Sequence, residues 1–222
     1  MADICTVIFD MDGVIIDSEP IHHKIEQEIL IELGIHIPEA EHNQYIGTAS
    51  IEMWTHIINV HQLDVSPHEI VTTNHQRYIQ HLKSLENLPV IEGVTCLIEH
   101  LNHSGKKLVL ASSSAREQIE LVLGGLNIRD YFHQVVSGAE LPKSKPDPMI
   151  FLEAAELVGV SPAECIVIED SQHGVTAAKA AGMKCIGFDN PNSCRQDLSQ
   201  ADFITSDFTD LDIDFILEEL TK

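Results

Sequence analysis

The sequence is poor in positive charge. Lys and Arg total 13 among 222 residues against 35 Asp and Glu, giving a formal net charge of −22 at pH 7 and a pI of about 4.7. A spread basic surface, which supplies most of the affinity for nucleic acid or anionic membrane, is therefore excluded. The five cysteines, Cys5, Cys96, Cys165, Cys185 and Cys194, include no C-x-x-C pair, so neither a disulfide framework nor a zinc cluster is expected. No apolar stretch is long enough to span a bilayer, and the start Met1-Ala2-Asp3 lacks a basic n-region. A cytoplasmic protein is the expectation. Internal repeats and low-complexity tracts are also missing. At 44% hydrophobic and 22% charged residues, with a mean hydropathy of +0.02, the composition suits a globular core with an acidic exterior.

Short β-branched runs bounded by turn residues recur at 5–9, 107–111, 134–136, 165–168, 184–188 and 202–205. Segments with helical apolar spacing lie between most of them, such as Val94, Leu97, Ile98 and Leu101, then Ile119, Val122, Leu123 and Leu126. This alternation predicts an α/β fold with a parallel sheet covered on both faces. Residues 18–88 break the rhythm and read as helix after helix. Ile21, Ile25, Ile29 and Leu33 share a face that stops at Gly34, and Ile51, Trp54, Ile57 and Ile58 share another. Ser66, Pro67 and Glu69 open a third helix with an N-cap, a first-turn proline and an acidic third position. The organisation expected is a core of residues 1–17 and 89–222 with an all-helical module at 18–88, hinged at 13–18 and 88–93.

In an open parallel sheet, ligands gather at the carboxyl ends of the strands. Four expected strand ends carry related chemistry: Asp10-Met11-Asp12-Gly13, Ser112-Ser113-Ser114, Lys143-Ser144-Lys145-Pro146-Asp147-Pro148, and Glu169-Asp170-Ser171. Alone, each has an ordinary structural role as helix cap, surface turn or solvated acid pair. Together they suit phosphoryl transfer. Asp10, Asp12, Glu169 and Asp170 form an all-oxygen carboxylate set that calls for a divalent cation, and oxygen ligands point to Mg²⁺. Ser112, the backbone amides near Ser113 and the Lys145 ammonium are donors for phosphate oxygens. One carboxylate can attack phosphorus while a second, two residues along, moves the proton.

The order, spacing and strand context of D-x-D-G at 10–13, Ser112, S-K-P-x-P at 144–148 and E-D-S at 169–171 resemble the haloacid dehalogenase (HAD) superfamily, in particular its helical-cap phosphatases and β-phosphoglucomutase-like branch. The resemblance implies a Rossmann-like parallel-sheet core with an inserted all-helical cap. It implies that Asp10 is the nucleophile and a Mg²⁺ ligand, and that Asp12 is the general acid and then the base, its carbonyl touching the metal. Asp170 would bind Mg²⁺, with Glu169 on the metal or just behind it, and Ser112, Ser113 and Lys145 would hold the phosphoryl group. A carboxylate at Asp12 matches the phosphatase pattern and not that of halide-displacing members, which protonate no alkoxide.

Substrate selection is assigned by the same resemblance to the cap, with His22 on the first cap helix and the loop 45–50 with Gly47 and Ser50, while Arg116, after the Ser112 motif, is the candidate to substitute from the core side for an arginine the loop lacks. Asn74 and Arg77 are secondary candidates, and Trp54 reads as cap core. The cap histidines read as exposed surface, with a pH-responsive cap or a zinc site as alternatives. β-Phosphoglucomutase relatives carry an arginine at or next to position 50, where this chain has Ala49-Ser50. The expectation is a Mg²⁺-dependent phosphatase of a small phosphorylated metabolite, a sugar or polyol phosphate, working through an aspartyl-phosphate on Asp10. The alternatives are a sugar-phosphate mutase and a non-catalytic phospho-ligand-binding protein. A receiver domain fits poorly, because a long helical insert follows the first strand. The partner expected is that metabolite, with no nucleic acid and no membrane, and the chain is expected to be a monomer, with a dimer left open.

Overall fold

The computed structural model describes residues 4–45, 50–193, 196–209 and 211–221. The chain divides into two compact units, Met1–Asp17 with Leu88–Lys222 and Ser18–Asn87.

The smaller unit is helical: α1 (Glu19–Glu32), α2 (Glu39–His42), α3 (Ser50–His61) and α4 (Pro67–Ser84), with α4 packed against both α1 and α3. Ile25, Ile29, Trp54, Ile57, Tyr78 and Leu82 form its apolar interior. Helix α1 stops where the sequence says it should. Gly34 takes φ +73, its N–H reaches the Ile31 carbonyl at 3.0 Å, and Ile35 N–H reaches Leu30 at 2.9 Å, so two otherwise orphaned carbonyls are paired. Leu30 is buried while Leu33, the capping residue, lies only half inside. Ser66 does cap α4, but through its carbonyl, which accepts from Glu69 and Ile70 N–H; its hydroxyl makes no capping bond. The reciprocal serine–glutamate cap forms instead at Ser161 and Glu164.

The histidines of this unit are not all at the surface, contrary to the sequence reading. His42 is only 2% exposed, with Nε2 3.1 Å from Glu26 Oε2 and its ring edge-on to His23 at 4.7 Å. His23 and Glu26 are three apart on α1, so they share the face that meets α2. Trp54 is fully buried, as a core residue should be.

The larger unit holds one six-stranded sheet: β1 (Thr6–Phe9), β2 (Lys107–Ser112), β3 (Gln134–Ser137), β4 (Cys165–Glu169), β5 (Lys184–Phe188) and β6 (Phe203–Thr205). The order is β3-β2-β1-β4-β5-β6 and every neighbouring pair is parallel. Its helices are α5 (Val94–His103), α6 (Arg116–Gly125), α7 (Met149–Leu157), α8 (Gln172–Ala180) and α9 (Ile213–Thr221). Ile8, Val109, Val136, Val167 and Cys185 pack on one face against Phe151 of α7 and Val175 and Ala178 of α8. The alternate positions Val7, Phe9, Leu108, Leu110, Ile166 and Ile168 are equally buried, and α5 packs on β2. Burial on both faces explains why these strands read as unbroken apolar runs.

The sheet is wound outward from β1 to β3 and then, in the other direction, from β4 to β6. The winding reverses between β1 and β4, and the carboxyl ends flanking such a reversal form the crevice where ligands bind in this architecture. Asp10 follows β1 directly and Glu169 ends β4.

Candidate active site

Backbone pairing fixes the first acidic segment. Asp10 N–H still bonds Ile168 O of β4 at 3.0 Å, and the chain then turns so that Ile15 and Ile16 N–H both reach Met11 O. Gly13 makes that turn at φ +78, and a Cβ there would overlap the Asp170 carboxylate. Glycine is required twice, for the left-handed backbone and for the close approach of Asp170.

Lys145 sits between two carboxylates. Its Nζ donates to Asp10 Oδ1 at 2.6 Å, to Glu169 Oε1 at 2.7 Å and to the Ala111 carbonyl at 3.4 Å, and lies 5.0 Å from the centre of the Phe151 ring. The three charged side chains are 7%, 8% and 1% exposed for Lys145, Asp10 and Glu169. The Lys145–Pro146 peptide is cis. Burial lowers the proton affinity of Lys145, but Asp10 and Glu169 reverse this and hold it above the usual lysine range. Burial pushes the Asp10 carboxyl up, Lys145 pulls it down, and Glu169 and Asp12 push it up again, leaving it well above the carboxylate range. The opposite fates of the two partners have one cause: a single ammonium serves several buried anions, so it is well satisfied while Asp10 is not.

Asp12 faces the other way. Its Oδ2 accepts from Ser114 Oγ at 2.7 Å and Ser112 Oγ at 3.4 Å, and its Oδ1 from Gln118 Nε2 at 3.4 Å. Ser114 is held in turn, its N–H on Ser112 Oγ at 3.0 Å and its carbonyl accepting from Ser137 Oγ at 2.7 Å. Ser112 and Ser137 are register partners at the ends of β2 and β3. Gly138 follows, where a Cβ would lie 3.1 Å from Ser113 Cα, so the β3 loop approaches the β2 loop closely.

The donor set has the chemistry of a divalent-cation site. Unbalanced negative charge around Asp10 fits one, and the oxygens of Asp10 and Asp170 with a backbone carbonyl suit Mg²⁺, which keeps several waters. Of the two places the sequence left open for Glu169, on a metal or just behind it, its bonds suit the second. Its Oε1 is taken by Lys145, and its Oε2 by Ser171 N–H at 2.7 Å and Ser171 Oγ at 2.9 Å, so it stands behind Asp10 and locates the lysine. The Asp12 side chain is likewise turned to serine and glutamine donors, leaving its carbonyl for a metal. Accordingly, no three His, Cys, Asp or Glu side chains converge as a ready metal cluster among the described residues.

The sequence-predicted residues thus fall into two bonded groups, Asp10 with Lys145 and Glu169, and Asp12 with Ser112, and Asp170 lies across Gly13. Ser113 is exposed at the β2 loop. The specificity candidates behave differently. Arg116 is not free for a phosphate: its guanidinium grips both oxygens of Glu140, at 2.8 and 2.7 Å. Arg77 is held the same way by Glu32. The His22 ring stacks on Tyr78 of α4 at 4.2 Å, Asn74 is buried in the helical unit, and Ser50 starts α3 with an exposed side chain. Gly47 lies outside the described residues.

Four residues escaped the sequence reading. Gln118 interrupts the apolar stripe of α6, which is the signal that could have found it. Asn190, Asn192 and Ser193 follow β5 in a stretch that reads as a turn. Asn190 Nδ2 donates to Gly13 O at 3.0 Å, Asn192 Nδ2 to Asp17 Oδ2 at 2.6 Å, and Ser193 Oγ to Asp170 Oδ2 at 3.1 Å. A fifth strand end therefore holds the acidic loop in place.

A doubly wound parallel sheet whose switch point carries this carboxylate, lysine and hydroxyl network, with a helical unit inserted after β1, defines a Rossmann-like α/β hydrolase. The family model described as haloacid dehalogenase-like hydrolase matches residues 7–188. Fructose-1-phosphate phosphatase YqaB of Escherichia coli (strain K12) is 32% identical over 181 residues, 81% of this chain and 94% of that protein. Beta-phosphoglucomutase of Bacillus subtilis (strain 168) is 31% identical over 218 residues, 96% and 94% of the two chains. The crystal structure of a beta-phosphoglucomutase from Clostridium difficile superposes with a TM-score of 0.83 at 24% identity, covering 98% of this chain and 97% of that one. The chain belongs to the haloacid dehalogenase-like hydrolase family, and its enzyme class is that of the phosphoric monoester hydrolases.

Proposed function

We propose that the protein is a Mg²⁺-dependent phosphatase of a small sugar or polyol phosphate, acting through an aspartyl-phosphate on Asp10. The observation that carries the reading is the pairing of a buried Asp10, in contact with Lys145, with an Asp12 two residues on that makes its bonds to hydroxyl and amide donors. One carboxylate is set beside a cation and can act as nucleophile. The other is set among proton-bearing groups and can move a proton.

In this reading an Asp10 oxygen attacks phosphorus as the bond to the sugar oxygen breaks, and Asp12 gives that oxygen its proton. Asp12 then takes a proton from water as the water oxygen attacks the aspartyl-phosphate, which releases inorganic phosphate and restores the Asp10 carboxylate and the protonated Asp12. Lys145 and Ser112 stabilise the equatorial oxygens, and Glu169 and Ser171 keep Lys145 in position. Asp10, Asp170 and the Asp12 carbonyl would hold Mg²⁺, which supplies charge neutralisation for the transferring group. A chain of net charge −22 offers no long-range attraction to an anionic substrate, so capture rests on these local groups.

The sugar-phosphate class is supported by the names of the two relatives. A mutase is the second reading, favoured because the match to beta-phosphoglucomutase spans more of the chain than the match to the phosphatase. Against it stand the commitment of Arg116 to Glu140 and the lack of arginine at 45–50. The deciding experiment supplies fructose 1-phosphate and β-glucose 1-phosphate, with EDTA, with Mg²⁺, and with Mg²⁺ plus glucose 1,6-bisphosphate. The phosphatase reading expects Mg²⁺-dependent phosphate release without bisphosphate. Isomer formation that requires bisphosphate would favour the mutase, and inertness under all conditions would favour a binding protein.

A further inference from the structure

We propose that Gln118 is a positioning residue for Asp12. Gln118 lies on α6 beside Ile119 and one turn before Val122, both fully buried, and is itself only 4% exposed. A buried amide in an apolar stripe needs a partner. Here that partner is Asp12 Oδ1, 3.4 Å from Nε2. Because a carboxylate only accepts, the amide must turn its nitrogen and not its oxygen toward Asp12.

The geometry gives this bond a specific task. The terminal torsion of an aspartate is soft, and a carboxylate held by one oxygen can swing about it. Ser114 Oγ holds Oδ2 at 2.7 Å, and Gln118 holds Oδ1, so the plane of the group is clamped from both sides. Ser114 sits on the β2 loop and is braced by Ser137. Gln118 is on a helix whose register is set by the buried residues Ile119 and Val122. The two clamps therefore come from different elements, and loss of either frees the rotation.

The inference rests on the reading of Asp12 as proton donor to the leaving oxygen. That role matters for an alkyl ester, whose alkoxide must be protonated, and little for an aryl ester with a stable phenolate. The test measures kcat and KM of wild type and Gln118→Met, which conserves volume, on fructose 1-phosphate and p-nitrophenyl phosphate. The expected result is a fall in kcat/KM of about tenfold on the sugar phosphate, a fraction of what general acid catalysis supplies. On the aryl phosphate, kcat/KM should stay at the wild-type value, because it reports formation of the aspartyl-phosphate and not its hydrolysis, the step at which Asp12 serves both esters alike. In an Asp12→Asn background the substitution should cost nothing further on the sugar ester. Equal losses of kcat/KM on both esters, or no loss on either, would overturn the proposal. If Gln118→Met does not fold, Gln118→Asn must show the same split between esters, and a missing split overturns the proposal equally. Failure of the wild type on both esters, or activity surviving Asp10→Asn, would instead remove the reading of the site as a whole and this proposal with it.

Discussion

Lys145 and Asp10 meet at 2.6 Å with both side chains nearly buried, and the same ammonium is 2.7 Å from Glu169. Removing one member of a buried ion pair costs about 3–5 kcal/mol because a charge is left without its partner, whereas the intact pair itself adds little. Lys145→Met therefore strands two carboxylates. The expected outcome is a loss of stability of that order by urea unfolding, together with near-complete loss of phosphatase activity. Lys145→Arg should not rescue, since the planar guanidinium cannot replace a compact ammonium that donates in three directions.

Gly174 tests whether Glu169 acts through the lysine. In the middle of a helix, Gly→Ala normally stabilises by about 0.5–1 kcal/mol. In α8, however, a Cβ at 174 would overlap the Glu169 carboxylate, which cannot yield because Lys145 and Ser171 hold both its oxygens. The sign is expected to invert: Gly174→Ala should lower stability by about 1–3 kcal/mol, as overpacking does, and reduce kcat with it. A more stable and fully active variant, measured by thermal unfolding and steady-state kinetics, would contradict the role given to Glu169.

Much of this arrangement was legible in the sequence, and the exceptions have physical reasons. The apolar runs located every strand, but β2, β3 and β4 each extend one residue further, to Ser112, Ser137 and Glu169. These polar residues read as turn starts, yet they still pair in the ladder, Ser112 with Ser137 and Glu169 with Gly187. Functional side chains at the ends of strands are held more rigidly than loop residues would be. Motif spacing grouped Asp10, Lys145 and Glu169 correctly but could not say that Glu169 faces the lysine, because that depends on Ser171 and on the space left by Gly174. Arg116 looked available for the same reason: nothing local in the sequence announces a bond to Glu140, 24 positions away. The buried His42 escaped because its partners His23 and Glu26 are on another helix.

Away from the site, Asp202 ties the sheet edge together, accepting from Lys179 at 2.5 Å, Lys184 at 3.2 Å and Cys185 N–H at 2.9 Å. Burial raises its carboxyl, but Lys179, Cys185 N–H and Lys184 together bring it below the ordinary value of 3.8. A carboxyl depressed in the folded state contributes stability that is complete above its unfolded value and disappears as the pH falls through the folded one. Asp202→Asn should cost about 1.5–3 kcal/mol at neutral pH, the range for hydrogen bonds to charged groups. Denaturation of the two proteins as a function of pH should show that gap constant down to about pH 5 and closing below about pH 4. A gap that persists unchanged at low pH would mean that the ionised carboxylate is not what stabilises the edge.

The central claim is that the phosphoryl group passes through Asp10. Enzyme turning over fructose 1-phosphate with Mg²⁺ can be quenched in acid, reduced with borotritide and digested, since reduction labels an acyl phosphate at its own carbonyl carbon. The account predicts tritium in the peptide carrying residue 10, and none in Asp10→Asn treated the same way. Turnover by the wild type without label at residue 10, or the same label in Asp10→Asn, would contradict it.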